Sequence, residues 1–161
     1  MRVETARFGV LDIHPDTLFN FPMGLLGFSR HKKFVVLDHR EDSPFKWLQS
    51  VEDGELAFII SDPLFFKPDY HINVRRGEIS VLAPETAEDL VVSVIMTVPE
   101  DPKLLSANLM APLVFNMANR RAMQLVLHDQ RYPVRFRVLP EGAALDNIPI
   151  HEPMMRSISL S

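Results

Sequence analysis

The side chains best suited to metal or acid–base chemistry in this chain are six histidines, His14, His31, His39, His71, His128 and His151. None stands at the HxH, HxxxH or HExxH spacing that turns two imidazoles toward one ion, so they read as surface or internally satisfied residues. The carboxylates gather as Asp38, Glu41 and Asp42, as Glu52, Asp53 and Glu55, and as Glu85, Glu88 and Asp89. Each cluster reads as a solvated turn, and a carboxylate pair assembled from distant loops stays open at this level. No serine sits in a GxSxG elbow, no GxxxxGK[ST] loop is present, and Gly24 and Gly27 stand among apolar residues unsuited to cradling phosphate. With no cysteine there is no thiolate nucleophile, disulfide or cysteine zinc site.

What remains points to binding. The segment PFKWLQSVEDGELAFIISDPLFFKPDY, residues 44–70, holds the only tryptophan, Trp47, with Phe45, Phe58, Phe65, Phe66 and Tyr70. Its first part has the make-up of paired strands in which Trp47 and Phe58 serve the core. Its second part, Asp62 to Tyr70, is a stiff corner. Pro63 and Pro68 restrict the backbone, and Asp62 can accept turn amide bonds ahead of Pro63. Read as extended, the adjacent Phe65 and Phe66 must point to opposite sides. Either a curled loop buries both, or one is offered to a partner.

These residues must be carried by a mostly β fold. Thirteen prolines in 161 residues and few helix-favouring stretches lean toward strands and constrained loops. Candidate strands run over residues 3–8, 17–21, 33–38, 45–51, 55–61, 70–74, 90–98, 112–117, 122–128 and 133–138, a spacing that suits an antiparallel barrel or sandwich. LVVSVIMTV, residues 90–98, is nearly all apolar and β-branched and reads as a central strand covered on both faces. In residues 123–128, Met123, Leu125 and Leu127 make one apolar face. FPMGLLGF, residues 21–28, reads as a buried loop anchored by Phe21 and Phe28. Single helical turns are expected within Pro84 to Asp89, where Thr86 and Asp89 stand at capping-box-like spacing, and within Asp101 to Leu105. The basic triplet Asn119-Arg120-Arg121 reads as a hairpin tip charged for solubility and edge protection.

Length and an apolar fraction of 47% are enough for one domain with a real core. We assign it to residues 1–139, followed by a mobile tail over 140–161 that includes Met154, Met155, Ile158 and Leu160. The net charge of −4 disfavours a general nucleic-acid binder. Aromatics are not interleaved with the cations as a stacking platform requires. No apolar run reaches the length of a membrane helix and the start lacks a signal-peptide layout, so a cytoplasmic protein is expected.

Six ordered blocks, FPMGLLGF (21–28), SPFKWLQS (43–50), AFIISDP (57–63), PDY (68–70), SANLMAP (106–112) and QLVLHD (124–129), resemble the flagellar assembly factor FliW family. The resemblance implies a small barrel-like protein without enzymatic activity or cofactor. It would bind the translational repressor CsrA, relieving flagellin mRNA, and would also bind flagellin, so that the two partners compete. It further implies that CsrA is antagonised away from its RNA-binding surface, with no direct contact to nucleic acid. The blocks that match the family while lying in loops suggest a partner-binding groove made by Asp62, Pro63, Phe65, Phe66 and Tyr70 together with Asn108 and Pro112. Asn108 and Pro112 serve equally well as turn-forming residues. A small β-barrel carrying a ligand or flavin is the competing class, one that a visible chromophore would reveal.

Overall fold

The computed structural model describes residues 1–41, 43–139 and 157–161. Short runs of apolar, often β-branched residues broken by turn residues produce strands, and no long helix occurs among the described residues. The strands are β1 (Arg2–Thr5), β2 (Gly9–Asp12), β3 (Phe19–Asn20), β4 (Lys33–Asp38), β5 (Phe45–Ser50), β6 (Ala57–Ser61), β7 (Ile72–Val74), β8 (Leu90–Thr97), β9 (Ser106–Ala107), β10 (Leu113–Asn116), β11 (Arg121–Gln124), β12 (Phe136–Arg137) and β13 (Ile158–Leu160). β4, β5 and β6 form a meander whose registers, Phe34↔Ser50 and Trp47↔Ile59, place Phe34, Leu48, Phe58 and Ile60 on one face.

β10 closes the sheet. It pairs antiparallel with β11 through Leu113↔Gln124 and with β8 through Leu113↔Ser93. The order β10-β11-β3-β4-β5-β6-β8 thereby returns on itself as a ring, with β9 and β12 appended beyond β8. Closure removes the free edges that an open sheet would carry. The expected antiparallel barrel-like fold is thus present, with two parallel contacts inside it, β11 to β3 and β13 to β7.

Two cores lie on the two faces of this ring. Inside, Phe19, Phe21, Leu25, Phe34, Leu48, Ile60, Leu113, Phe115 and Ala122 pack together, with Phe21 edge-on to both Phe34 and Phe115. Outside β8 and β10, Val92, Val94, Met96 and Val114 are covered by Tyr70, Ile72, Val74, Ile79, Leu82 and Tyr132. β10 is buried on both faces because Leu113 and Phe115 serve the first core and Val114 the second. A satellite core of Val3, Ile13 and Val35 seats the β1–β2 hairpin. Trp47 lies under that hairpin, beneath the Arg7 guanidinium at 4.2 Å and edge-on to Phe8, and does not enter the barrel interior.

Several sequence expectations change. The strand at 90–97 is not covered on both faces: its odd-numbered side carries Val91 at 43% exposure and a half-buried Ser93. The 21–28 loop is anchored at Phe21 and Leu25 but exposes Met23 and Leu26. Its turn depends on Gly24, at φ +67, where a Cβ would meet the Ser29 Cα at 2.6 Å. Helical turns occur at Ala87–Asp89 and Pro102–Leu104 as expected, and also at Pro15–Thr17, Pro63–Phe65 and Ser80–Leu82. The last five residues are not a mobile tail. β13 docks in parallel on β7, and Ser157 and Ile158 are buried. Residues 140–156, Met154 and Met155 among them, lie outside the described residues.

Tyr70 ties the corner to the outer core. Its ring is 1% exposed and 4.6 Å from Tyr132, and its hydroxyl donates to the Leu109 carbonyl at 2.9 Å. Burial, with Tyr132 adding to it, holds the phenol proton well above the ordinary tyrosine range, so it stays a donor. Tyr70→Phe should lower stability by about 1–3 kcal/mol, because the buried Leu109 carbonyl loses its partner. Urea denaturation at neutral pH measures this, and an unchanged midpoint and slope would contradict it.

Candidate functional site

The interior face of the ring runs through Phe21, Phe34, Leu48 and Leu113 and then reaches an end that side chains do not fill. There, one step further along the same strands, stand Phe19, Val36, Lys46, Ile60, Ser93, Val91 and Phe115. They form the floor of a mouth of about 440 Å³. Asp62 and Phe65 make one rim, and Met117 and Arg120 make the other.

The Asp62 rim follows from local sequence. Pro63 starts a 3-10 turn over Pro63–Phe65, and the Asp62 carboxylate caps it by accepting the Leu64 N–H at 2.9 Å. The corner is therefore curled, one of the two arrangements open at the sequence level, although neither Phe65 nor Phe66 is fully buried. The two phenylalanines still diverge: Phe65 lines the mouth, while Phe66 stacks on Phe136 at 6.2 Å against the outer core. Partial burial raises the Asp62 pKa above the ordinary carboxylate value, with the Leu64 amide acting in the opposite direction.

The opposite rim comes from the β10–β11 hairpin. Arg120 adopts φ 64 and returns its backbone N–H to the Asn116 carbonyl. Its guanidinium lies 3.7 Å from the Phe19 ring centroid and donates to the Thr17 carbonyl at 2.6 Å. Arg120 is a tie between the hairpin and β3, which a solubility tip would not require. Lys46 projects from the floor and pairs with Asp38 at 2.9 Å. The mouth is thus an apolar hollow with Arg120 on one rim, the half-buried Asp62 carboxylate on the other and Lys46 rising from the floor.

Of the residues expected to bind, only Asp62 and Phe65 meet at this mouth. Pro63, Tyr70 and Pro112 are buried, and Asn108 accepts the Ala111 N–H at 3.0 Å to shape its own loop. The Asn108–Pro112 loop adjoins Tyr70 through Leu109, on the outer-core side. These residues position the corner. Sequence reasoning passed over Val91, Ser93, Met117 and Arg120. Ser93 was the available signal, a polar break within an otherwise apolar strand.

Comparison with known proteins decides the lineage. The family model described as FliW protein matches residues 2–138. The chain belongs to the FliW family. A flagellar assembly factor FliW from Alkaliphilus metalliredigens is 38% identical over 142 residues, covering 88% of each chain. One from Bacillus licheniformis is 42% identical over 132 residues, covering 82% of this chain and 92% of its own. A crystal structure of the flagellar assembly factor FliW superposes with a TM-score of 0.81 at 31% identity, covering 89% of this chain and all of that one. The FliW match includes every element that builds the mouth.

A raised carboxylate pKa has a definite sign. Ionising Asp62 costs the folded state more than the unfolded one, so its contribution to stability falls as pH rises from the ordinary carboxylate range through the raised folded value. Asp62→Asn keeps an oxygen to accept the Leu64 N–H and removes the charge. The variant should be at least as stable as the parent at pH 7 and should lose that part of the pH slope. Denaturation midpoints between pH 4 and 8 check this, and a variant markedly less stable at pH 7 would show that the ionised form is favoured.

Proposed function

We propose that this protein is a flagellar assembly factor that works by binding, with the mouth beside Asp62 and Phe65 as the surface it offers to a protein partner. Family membership across residues 2–138 carries the reading. In this reading the partners are the translational repressor CsrA and flagellin, competing for the factor so that flagellin level feeds back on translation of its mRNA. The site of action is the cytoplasm, where that translation occurs. No helix among the described residues is long and apolar enough to cross a membrane.

The shape and chemistry of the mouth support a protein ligand. Val91 and Met117, exposed at 43% and 46%, offer apolar surface next to Phe65, and Arg120 and Lys46 provide polar ends. An amphipathic helix or extended segment that inserts one or two apolar anchors is the occupant such a surface suits. The barrel interior beneath is packed with Phe21, Phe34, Leu48 and Leu113, all fully buried, which favours a peptide seated at the surface over a cofactor held in the barrel.

The direct test is a titration of the purified protein with CsrA and with flagellin, followed by displacement of one by the other. Val91→Asp and Phe65→Ala, judged on variants whose circular dichroism matches the parent, should each weaken binding of at least one partner by tenfold or more. Unchanged affinity for both partners in both variants would remove the mouth from the interface.

A further inference from the structure

β7 presents two different edges, and the chain covers one of them with its own C-terminus. The Ile72 N–H donates to the Ser157 carbonyl at 2.8 Å, the Ser161 N–H donates to the Val74 carbonyl at 2.9 Å, and the Arg76 N–H donates to the Ser161 carbonyl at 3.1 Å. The register is Ile158↔Ile72, Ser159↔Asn73 and Leu160↔Val74. Ile158, at 3% exposure, joins the outer core, and Leu160 packs partly against it, while Ser159 faces outward. β13 lies beyond residues 2–138 that the family model matches, whereas β7 lies within them. An element outside the family core therefore completes an edge that belongs to it.

We infer that this edge of β7 is a strand-accepting site for an extended segment of a partner protein, and that residues 157–161 occupy it in cis as an exchangeable stand-in. An uncovered strand edge recruits another strand through its free N–H and C=O groups, and pockets for alternate side chains set what it accepts. Here β13 displays the acceptable pattern, an aliphatic residue, a small uncharged residue and a second aliphatic residue. Its attachment suits exchange. The ladder is three residues long and parallel, the weaker pairing geometry. The site is separate from the mouth, since β7 covers the outer core and the mouth opens from the inner one.

The probe is a fluorescein-labelled peptide, Ser-Ile-Ser-Leu-Ser, titrated into the full chain. A strand held in cis competes at high effective concentration, so Ile158→Asp should raise peptide affinity at least tenfold over the parent. The same peptide with aspartate in place of isoleucine should not bind. The chain has no cysteine, so Asn73→Cys with Ser159→Cys places a single thiol pair at facing, exposed positions. Oxidation of that pair should abolish peptide binding and reduction should restore it. Peptide binding unaffected by the oxidised lock, or no binding to a folded I158D protein, would overturn the inference. A concentration-dependent dimer of the parent that the lock prevents would assign the edge to a second copy and overturn the partner reading.

Discussion

The structure depends on one doubly paired strand. Leu113–Asn116 bonds to β8 on one side and β11 on the other, and that double pairing turns a linear order of strands into a ring. Four residues can do this because all four are buried, with Leu113 and Phe115 facing inward and Val114 outward. Were β10 to detach from β8, the inner core would open to water and both strands would gain a free edge. The mouth exists only because the ring closes. Its floor residues come from strands on opposite sides of the closure, Val36 and Lys46 from the meander and Phe115 from β10.

From closure follows the division of labour between the two faces of β8. Leu90, Val92, Val94 and Met96 are spent on the outer core, while Ile95 packs inward and Ser93 and Val91 lie progressively nearer the open end. The same strand thus holds the fold on one side and offers surface on the other. The rims are fixed independently of the floor, one by the capped turn at Asp62 and the other by Arg120 reaching back to Thr17. Both rims use backbone-directed hydrogen bonds, which leaves the hollow between them largely pre-organised.

Much of this architecture was legible in the residues, and the failures have physical causes. The 33–38 strand and the capped turn near Thr86 follow local rules, a short β-branched apolar run bounded by Lys33 and Asp38 in one and a side-chain acceptor two residues before an amide in the other. β8 reads as covered on both faces because a nearly all-apolar strand looks the same whether its second face meets a core or an open mouth, and only Ser93 hints at the difference. Arg120 was misjudged because its partners, Phe19 and the Thr17 carbonyl, are about a hundred residues away in the chain. β13 was missed because Ser-Ile-Ser-Leu-Ser buries too little to form a strand alone and needs β7 already in place. The Asp62 corner was recognised as a unit, but which of Phe65, Phe66 and Tyr70 face outward depends on the 3-10 turn and on the Tyr70 bond to Leu109. The family resemblance was carried by ordered blocks, several of them core or loop-forming residues, so it revealed lineage more readily than the site.

The central claim is that partners seat at the barrel mouth. Amide hydrogen exchange of the full chain, free and saturated with CsrA or with flagellin, tests it most directly. Seating at the mouth should add protection in segments 60–66 and 115–121 on binding at least one partner and leave the β1–β2 hairpin at its free rates. Protection that left both segments at their free rates and appeared only elsewhere on the chain would contradict it.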